Sequence, residues 1–178
     1  MQTAFAYDCT PQHADLYTQV LAPSKKGCPA TNGPSSIVTL TGTKALTDVG
    51  AAVGSLFGPE GTIIGAAIGS QFGLGANISY VNSTHSLYIG PTAIFAPLQI
   101  GGGGGFSLSY TNVPSGQNPN AIANGTSYGI AFQPNPLFGS VVTKSPGSGP
   151  PVVGYQVGTR SPVSYSASHN FCLWNCGC

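Results

Sequence analysis

Phe106-Ser107-Leu108-Ser109-Tyr110-Thr111 places an apolar residue at every second position and a hydroxyl side chain at each position between. A period of two belongs to a β-strand, whose successive side chains point to opposite faces. The pattern recurs downstream. Tyr128, Ile130 and Phe132 alternate with Gly129 and Ala131, and Val153, Tyr155 and Val157 alternate with Gly154 and Gln156. Val163 and Tyr165 alternate with Ser164 and Ser166. This is the signature of half-buried antiparallel strands. Residues 77–82, 86–89, 93–100 and 137–143 are further strand candidates, parted by turn clusters such as Gly101–Gly105, Pro114-Ser-Gly-Gln-Asn-Pro119 and Ser145-Pro-Gly-Ser-Gly-Pro-Pro151. About eight short strands over 76–168 predict an antiparallel β-sandwich or small barrel.

Upstream the period changes to four. Gly50, Gly54 and Gly58 form one set, and Gly61, Gly65, Gly69 and Gly73 form another. The segment repeats itself: Gly50-Ala-Ala-Val-Gly-Ser-Leu-Phe-Gly58 matches Gly65-Ala-Ala-Ile-Gly-Ser-Gln-Phe-Gly73 at seven of nine positions. Gly58-Pro59-Glu60-Gly61 between the copies is a turn signal. A spacing of four puts the glycines on one helix face, where a second helix can approach closely, the small-xxx-small device of membrane helix pairs. Each glycine costs a helix about 1 kcal/mol relative to alanine, so close packing or a bilayer must compensate. The reading is a glycine-zipper helical hairpin over 46–75. Each arm is short for a span of about 20 residues, so part-way insertion, a single helix kinked at Pro59 and burial beneath the later strands all remain open.

Charge is scarce. Asp, Glu, Lys and Arg make up 5% of the 178 residues, where about 25% is ordinary, and the net charge is +1. That balance carries no footprint for nucleic acid. Between Glu60 and Lys144 no residue bears a formal charge except by protonation of His85. Such a stretch is solvated by Ser, Thr, Asn and Gln, lies against lipid, or packs against other subunits. Glu60 sits at the turn tip. Its entry into hydrocarbon would cost at least about 2.5 kcal/mol, so insertion would be favoured at low pH.

Cys9, Cys28, Cys172, Cys176 and Cys178 lie only near the two ends. Cys176-Gly-Cys178 is too tight for a zinc knuckle, so no metal site is expected and disulfides such as Cys9–Cys28 and one within the tail fit better. Cysteines of that kind point to an oxidising compartment. The N-terminus has neither a basic region nor an apolar run, so a secreted or membrane-associated location is expected without the usual signal peptide. The organisation read from the sequence is a polar lead-in (1–45), the hairpin (46–75), a β domain (76–168) and a cysteine-rich tail (169–178), an α+β chain.

Catalytic chemistry has little to work with. His13 has Asp8, Cys9 and Asp15 near it in sequence, but no local signature for a nucleophilic site accompanies them. Four acidic residues leave few acid–base partners, and paired-carboxylate glycosidase chemistry is improbable. Gly101–Gly105 lacks the lysine of a phosphate loop. Asn77, Asn82 and Asn124 stand in N-x-[ST] triplets, which matter only in a secretory pathway. No enzyme activity and no cofactor is expected.

The repeat and its Gly-Pro-Glu-Gly joint resemble the glycine-zipper hairpins of colicin-V-like microcins and pore-forming antibacterial effectors. The resemblance covers residues 46–75, and the Cys172-Leu-Trp-Asn-Cys176 tail is similar to the Trp- and Cys-bearing ends of such microcins. It implies a bacterial toxin or effector that inserts into a lipid bilayer, dissipates ion gradients, and has a cognate immunity protein. In that reading Gly50, Gly54, Gly58, Gly61, Gly65, Gly69, Gly73 and Glu60 carry the function. The alternative is a cell-surface or self-assembling structural protein whose uncharged strands pair between subunits.

Overall fold

The computed structural model describes residues 33–98, 103–135, 138–158 and 162–175. Eight antiparallel strands close into a barrel: β1 (Ser35–Ala45), β2 (Phe72–Val81), β3 (Ser86–Phe95), β4 (Gly105–Val113), β5 (Gly125–Phe132), β6 (Gly139–Lys144), β7 (Val152–Gly158) and β8 (Val163–Trp174). Their order around the barrel is β1-β2-β3-β8-β5-β6-β7-β4. β1–β2–β3 and β5–β6–β7 are local meanders. The connections β3–β4, β4–β5 and β7–β8 join strands that are not neighbours, so they pass across the barrel ends.

Three helices interrupt the strands among the described residues: α1 (Thr47–Gly54), α2 (Pro59–Gly69) and α3 (Pro119–Ala123). A 3-10 turn, Ser55–Phe57, follows α1. Gly58 ends it at φ 89°, a left-handed conformation that glycine adopts without the strain a side chain would add, and Pro59 then opens α2 where its missing N–H has no partner to lose. The α3 turn begins at Asn118-Pro119. The Asn118 side chain accepts hydrogen bonds from the backbone N–H groups of Asn120 (3.0 Å) and Ala121 (3.3 Å), which caps the turn.

The α+β expectation, with a glycine-zipper helical hairpin as one of its two parts, is corrected by this architecture. Strand dominates, and helix is confined to pieces of 8, 11 and 5 residues. The physical reason lies in residues 72–81. Phe72, Leu74, Ile78 and Tyr80 lie on one face of a period-2 segment and claim the end of the second glycine repeat for β2, where Gly73 pairs with Ala45. The helical residues are thus an excursion between two strands that pair along their whole length. β1 likewise draws residues 35–45, read as lead-in, into the barrel, and β8 runs on through Trp174 in the segment read as tail. The sandwich half of the β expectation gives way to closure, because β4 pairs with both β1 and β7 and leaves no edge.

The barrel is inside out. The residues of the period-2 pattern that face inward are Thr39 and Thr41 of β1, Asn77 and Ser79 of β2, Thr92 of β3, Ser107, Ser109 and Thr111 of β4, Ser127 of β5, Thr143 of β6, Gln156 of β7, and Ser166, Ser168 and Asn170 of β8. Their apolar neighbours face outward and are exposed: Leu40, Leu74, Ile78, Ile89, Phe106, Leu108, Tyr110, Tyr128, Ile130, Phe132, Val142, Val153, Tyr155, Val157, Tyr165 and Phe171. Phe106 is 69% exposed while Thr111 of the same strand is 6% exposed. A buried apolar cluster, Ile37, Val81, Tyr88, Val113, Ile122, Ala123 and Val152, fills the end where α3 crosses the mouth, and Ile94, Ala96, Ala131 and Val141 are buried elsewhere along the barrel.

Candidate functional site: the polar lumen and the apolar belt

The interior follows from small side chains. Gly75, Gly90, Gly129 and Gly154 stand at inward positions among the serines and threonines. An eight-stranded barrel is normally just wide enough for its side chains to fill. Here glycine and serine leave a cavity of about 80 Å³ lined mainly by hydroxyls and amides, with Ile37, Ile122, Ala123 and Val141 also in its wall and no charged residue. The hydroxyls pair across strands: Thr39 with Ser79 at 2.8 Å, and Ser127 with Ser168 at 2.7 Å. Two amide oxygens in the cavity wall, Asn77 Oδ1 and Asn170 Oδ1, are buried without a hydrogen-bond partner.

Each end of the lumen is closed differently. At the α3 end the apolar plug lies over the cavity. Ser145 Oγ donates to the Ile122 carbonyl at 2.8 Å and Asn170 Nδ2 donates to the Ala123 carbonyl at 3.0 Å, which tie α3 down. Toward the opposite end Gln156 Nε2 donates to Gln133 Oε1 at 3.2 Å, and Gln133 Nε2 donates to the Gly158 carbonyl at 2.6 Å.

The outer surface is a belt that runs around all eight strands. One cross-strand row reads Tyr155, Tyr110, Val38, Tyr80, Leu87, Trp174 from β7 through β4, β1, β2 and β3 to β8, near the plug end. The next outward row toward the helices is aliphatic except at its β8 end: Val157, Leu108, Leu40, Ile78, Ile89, Phe171. At the helix end Phe72 stacks on Phe95 (centroids 4.7 Å apart) and Phe95 on Tyr165 (6.4 Å). The described charged residues stay off this belt's middle. Lys44 stands near the end of β1, Asp48 in α1, Glu60 in the first turn of α2, and Lys144 at the end of β6, where it donates to the Gly149 carbonyl.

The glycines named from sequence fall in two places. Gly50, Gly54, Gly61, Gly65 and Gly69 bring α1 and α2 together backbone to backbone, and a Cβ on Gly50 would overlap the Gly65 carbonyl. Gly58 forms the turn, and Gly73 lies in β2 against the Gly103 backbone. The outer sides of the pair, Val53, Leu56, Phe57, Ile63, Ile64 and Ile68, are exposed. No helix among the described residues is long and apolar enough to cross a membrane. Cys172 lies on β8, and Cys9, Cys28, Cys176, Cys178 and His13 lie outside the described residues. His85 Nδ1 pairs with Tyr80 Oη at 2.7 Å at a strand turn, and His169 Nδ1 pairs with Thr126 Oγ1 at 2.8 Å. Asn77, read as an N-x-[ST] asparagine, faces the lumen, out of reach of a surface modification. Among the described residues no three His, Cys, Asp or Glu side chains gather as a metal site.

Sequence reasoning assigns no shared site to the lumen residues. Their signal was present as the polar half of every alternating strand, but alternation alone carries no label for inside and outside. Fold and site together define a class: a closed antiparallel barrel with an uncharged polar interior and a continuous apolar exterior. No protein-family model, no curated protein and no solved structure matches the chain.

Proposed function

We propose that this chain is a bilayer-embedded β-barrel that acts on membranes through its strands. The observation that carries the reading is the inverted distribution of side chains, polar within and apolar around the full circumference. Water would impose the opposite arrangement, because burying hydroxyls while exposing Leu, Ile and Phe forfeits about 25 cal/mol for each Å² of apolar surface left wet. Hydrocarbon favours it, and a closed barrel satisfies every strand hydrogen bond without an edge. Tyr and Trp gather in one row near the plug end, as interfacial aromatics do, and the charges lie toward the ends. Five strands have 9 to 12 residues, against about 9–11 for a tilted span, while β5, β6 and β7 have 8, 6 and 7.

Within this reading the membrane-active effector expected from the glycine repeats keeps its target and changes its instrument. The strands enter the bilayer. The helices, with apolar outer sides and Glu60 in the first turn of α2, stand beyond the end opposite the plug. Passage of small solutes requires the α3 plug to yield. An immunity protein and self-association remain proposals of the same reading.

One observation favours a second reading, a self-assembling structural protein. Three connections join strands that are not neighbours, whereas membrane barrels of the up-and-down type connect neighbours in sequence. In that case the belt is covered by other copies. Flotation of the folded full chain with liposomes, paired with dye release, separates the two. Co-flotation that resists high salt and alkaline wash supports the bilayer reading. A chain that stays in the aqueous fraction as a large assembly overturns it.

A further inference from the structure

Asn77 and Asn170 line the lumen gap, the cavity described above, from the two strands on either side of β3. Asn77 of β2 pairs directly with Gly90 of β3. On the far side of Gly90 is β8, close enough that a Cβ on Gly90 would lie 2.8 Å from the Asn170 Cα. Both asparagines are at least nine-tenths buried, at 5% and 4% exposure, and both line the cavity. A side chain on Gly90 would run into the β8 backbone, so the glycine lets β3 and β8 close on each other and brings the two asparagines' strands near.

Their oxygens have no partner. Asn170 is oriented by its Nδ2, which donates to the Ala123 carbonyl at 3.0 Å, so Oδ1 is the end left for the cavity. A buried acceptor without a donor costs about 1–3 kcal/mol, so whatever occupies the gap must be electron-poor. Around it stand hydroxyls: Thr41 beside Asn77 in the register, Ser79 and Thr39 further along, and Thr92 and Ser168 on the other side. Hydroxyls and amide oxygens are hard neutral ligands. Divalent cations usually demand carboxylates, of which the wall has none, and an anion would face lone pairs on both sides. Rings of neutral oxygens suit a partly dehydrated monovalent cation.

We infer that the lumen holds a monovalent-cation site, with Asn77 Oδ1 and Asn170 Oδ1 as ligands supplemented by the Thr and Ser hydroxyls and by water. The site stands on the cavity alone and does not depend on what covers the belt.

Thallium(I), a spectroscopic substitute for potassium, tests it on the folded full chain. The thallium NMR signal should shift saturably with protein, and potassium should compete where choline does not. Asn77→Leu should weaken the effect by about tenfold or more, the loss of one strong ligand. Asn77→Ser, smaller and still polar, covers the case in which leucine disturbs folding, and should weaken binding too. Asn77→Asp should tighten it. Ile78→Ser, one residue away on the outer face, should leave it unchanged. A folded wild-type chain with no saturable, potassium-competed shift means that the gap holds water only and overturns the site. Equal binding by the wild type and by folded Asn77→Leu and Asn77→Ser overturns it as well. Neither result bears on flotation, which tests the bilayer reading separately.

Discussion

Gly50 in α1 and Gly65 in α2 are in reciprocal contact: a methyl group on either would overlap the carbonyl oxygen of the other. Gly54 and Gly61 repeat the relation one turn along. The two helices therefore meet through backbone, and their larger side chains are all on the outside.

Gly50→Leu or Gly65→Leu should force the helices apart at a cost of about 1–3 kcal/mol, the usual range for overpacking. Helical circular dichroism should fall while the strand signal stays. Under the bilayer proposal the strands carry insertion, so flotation should persist in both variants, and loss of flotation would return the membrane role to the helices.

Lysine on the belt reports what surrounds it. Ile78, Leu108, Ile130 and Val157 stand on β2, β4, β5 and β7, distributed around the barrel. Each lysine replacement in the hydrocarbon should cost about 2–4 kcal/mol of bilayer partition and less toward an interface. Liposome binding by all four variants measures this. An effect confined to one side of the barrel would point to a protein partner there.

Gly90→Val tests closure. Its side chain would overlap the His169 carbonyl, and Gly90 lies where β3 and β8 pack together. That junction joins the two meanders, so the chain should lose amide protection across β8 and unfold at lower denaturant. Unchanged hydrogen exchange along β8 would refute the proposed register there.

Much of the strand content was legible. The alternation in Phe106–Thr111, Tyr128–Phe132 and Val153–Val157 predicted strands that the structure contains, because a two-residue period has only one backbone explanation. The helix content was over-read. Glycine spacing of four predicts one helical hairpin over 46–75, but the alternation beginning at Phe72 gives the last of that segment to a strand, and strand pairing with β1 outweighs weak glycine-rich helix. The site was not legible. Asn77 and Asn170 are 93 positions apart in the sequence, and only the β2–β3–β8 order brings them to either side of Gly90.

The sequence by itself determined that the chain has two-faced strands, few charges, and a glycine repeat that permits close backbone contact. Only the tertiary structure decided which face is inside. Alternation is symmetric: shifted by one residue it describes the mirror assignment equally well, so a single strand cannot say whether Ser107 or Phe106 is buried. Closure of eight strands breaks that symmetry. The barrel has room within for glycine, serine, threonine and amides, and for few of the bulky side chains between them. Their exclusion to the outer surface makes the surrounding medium part of the fold.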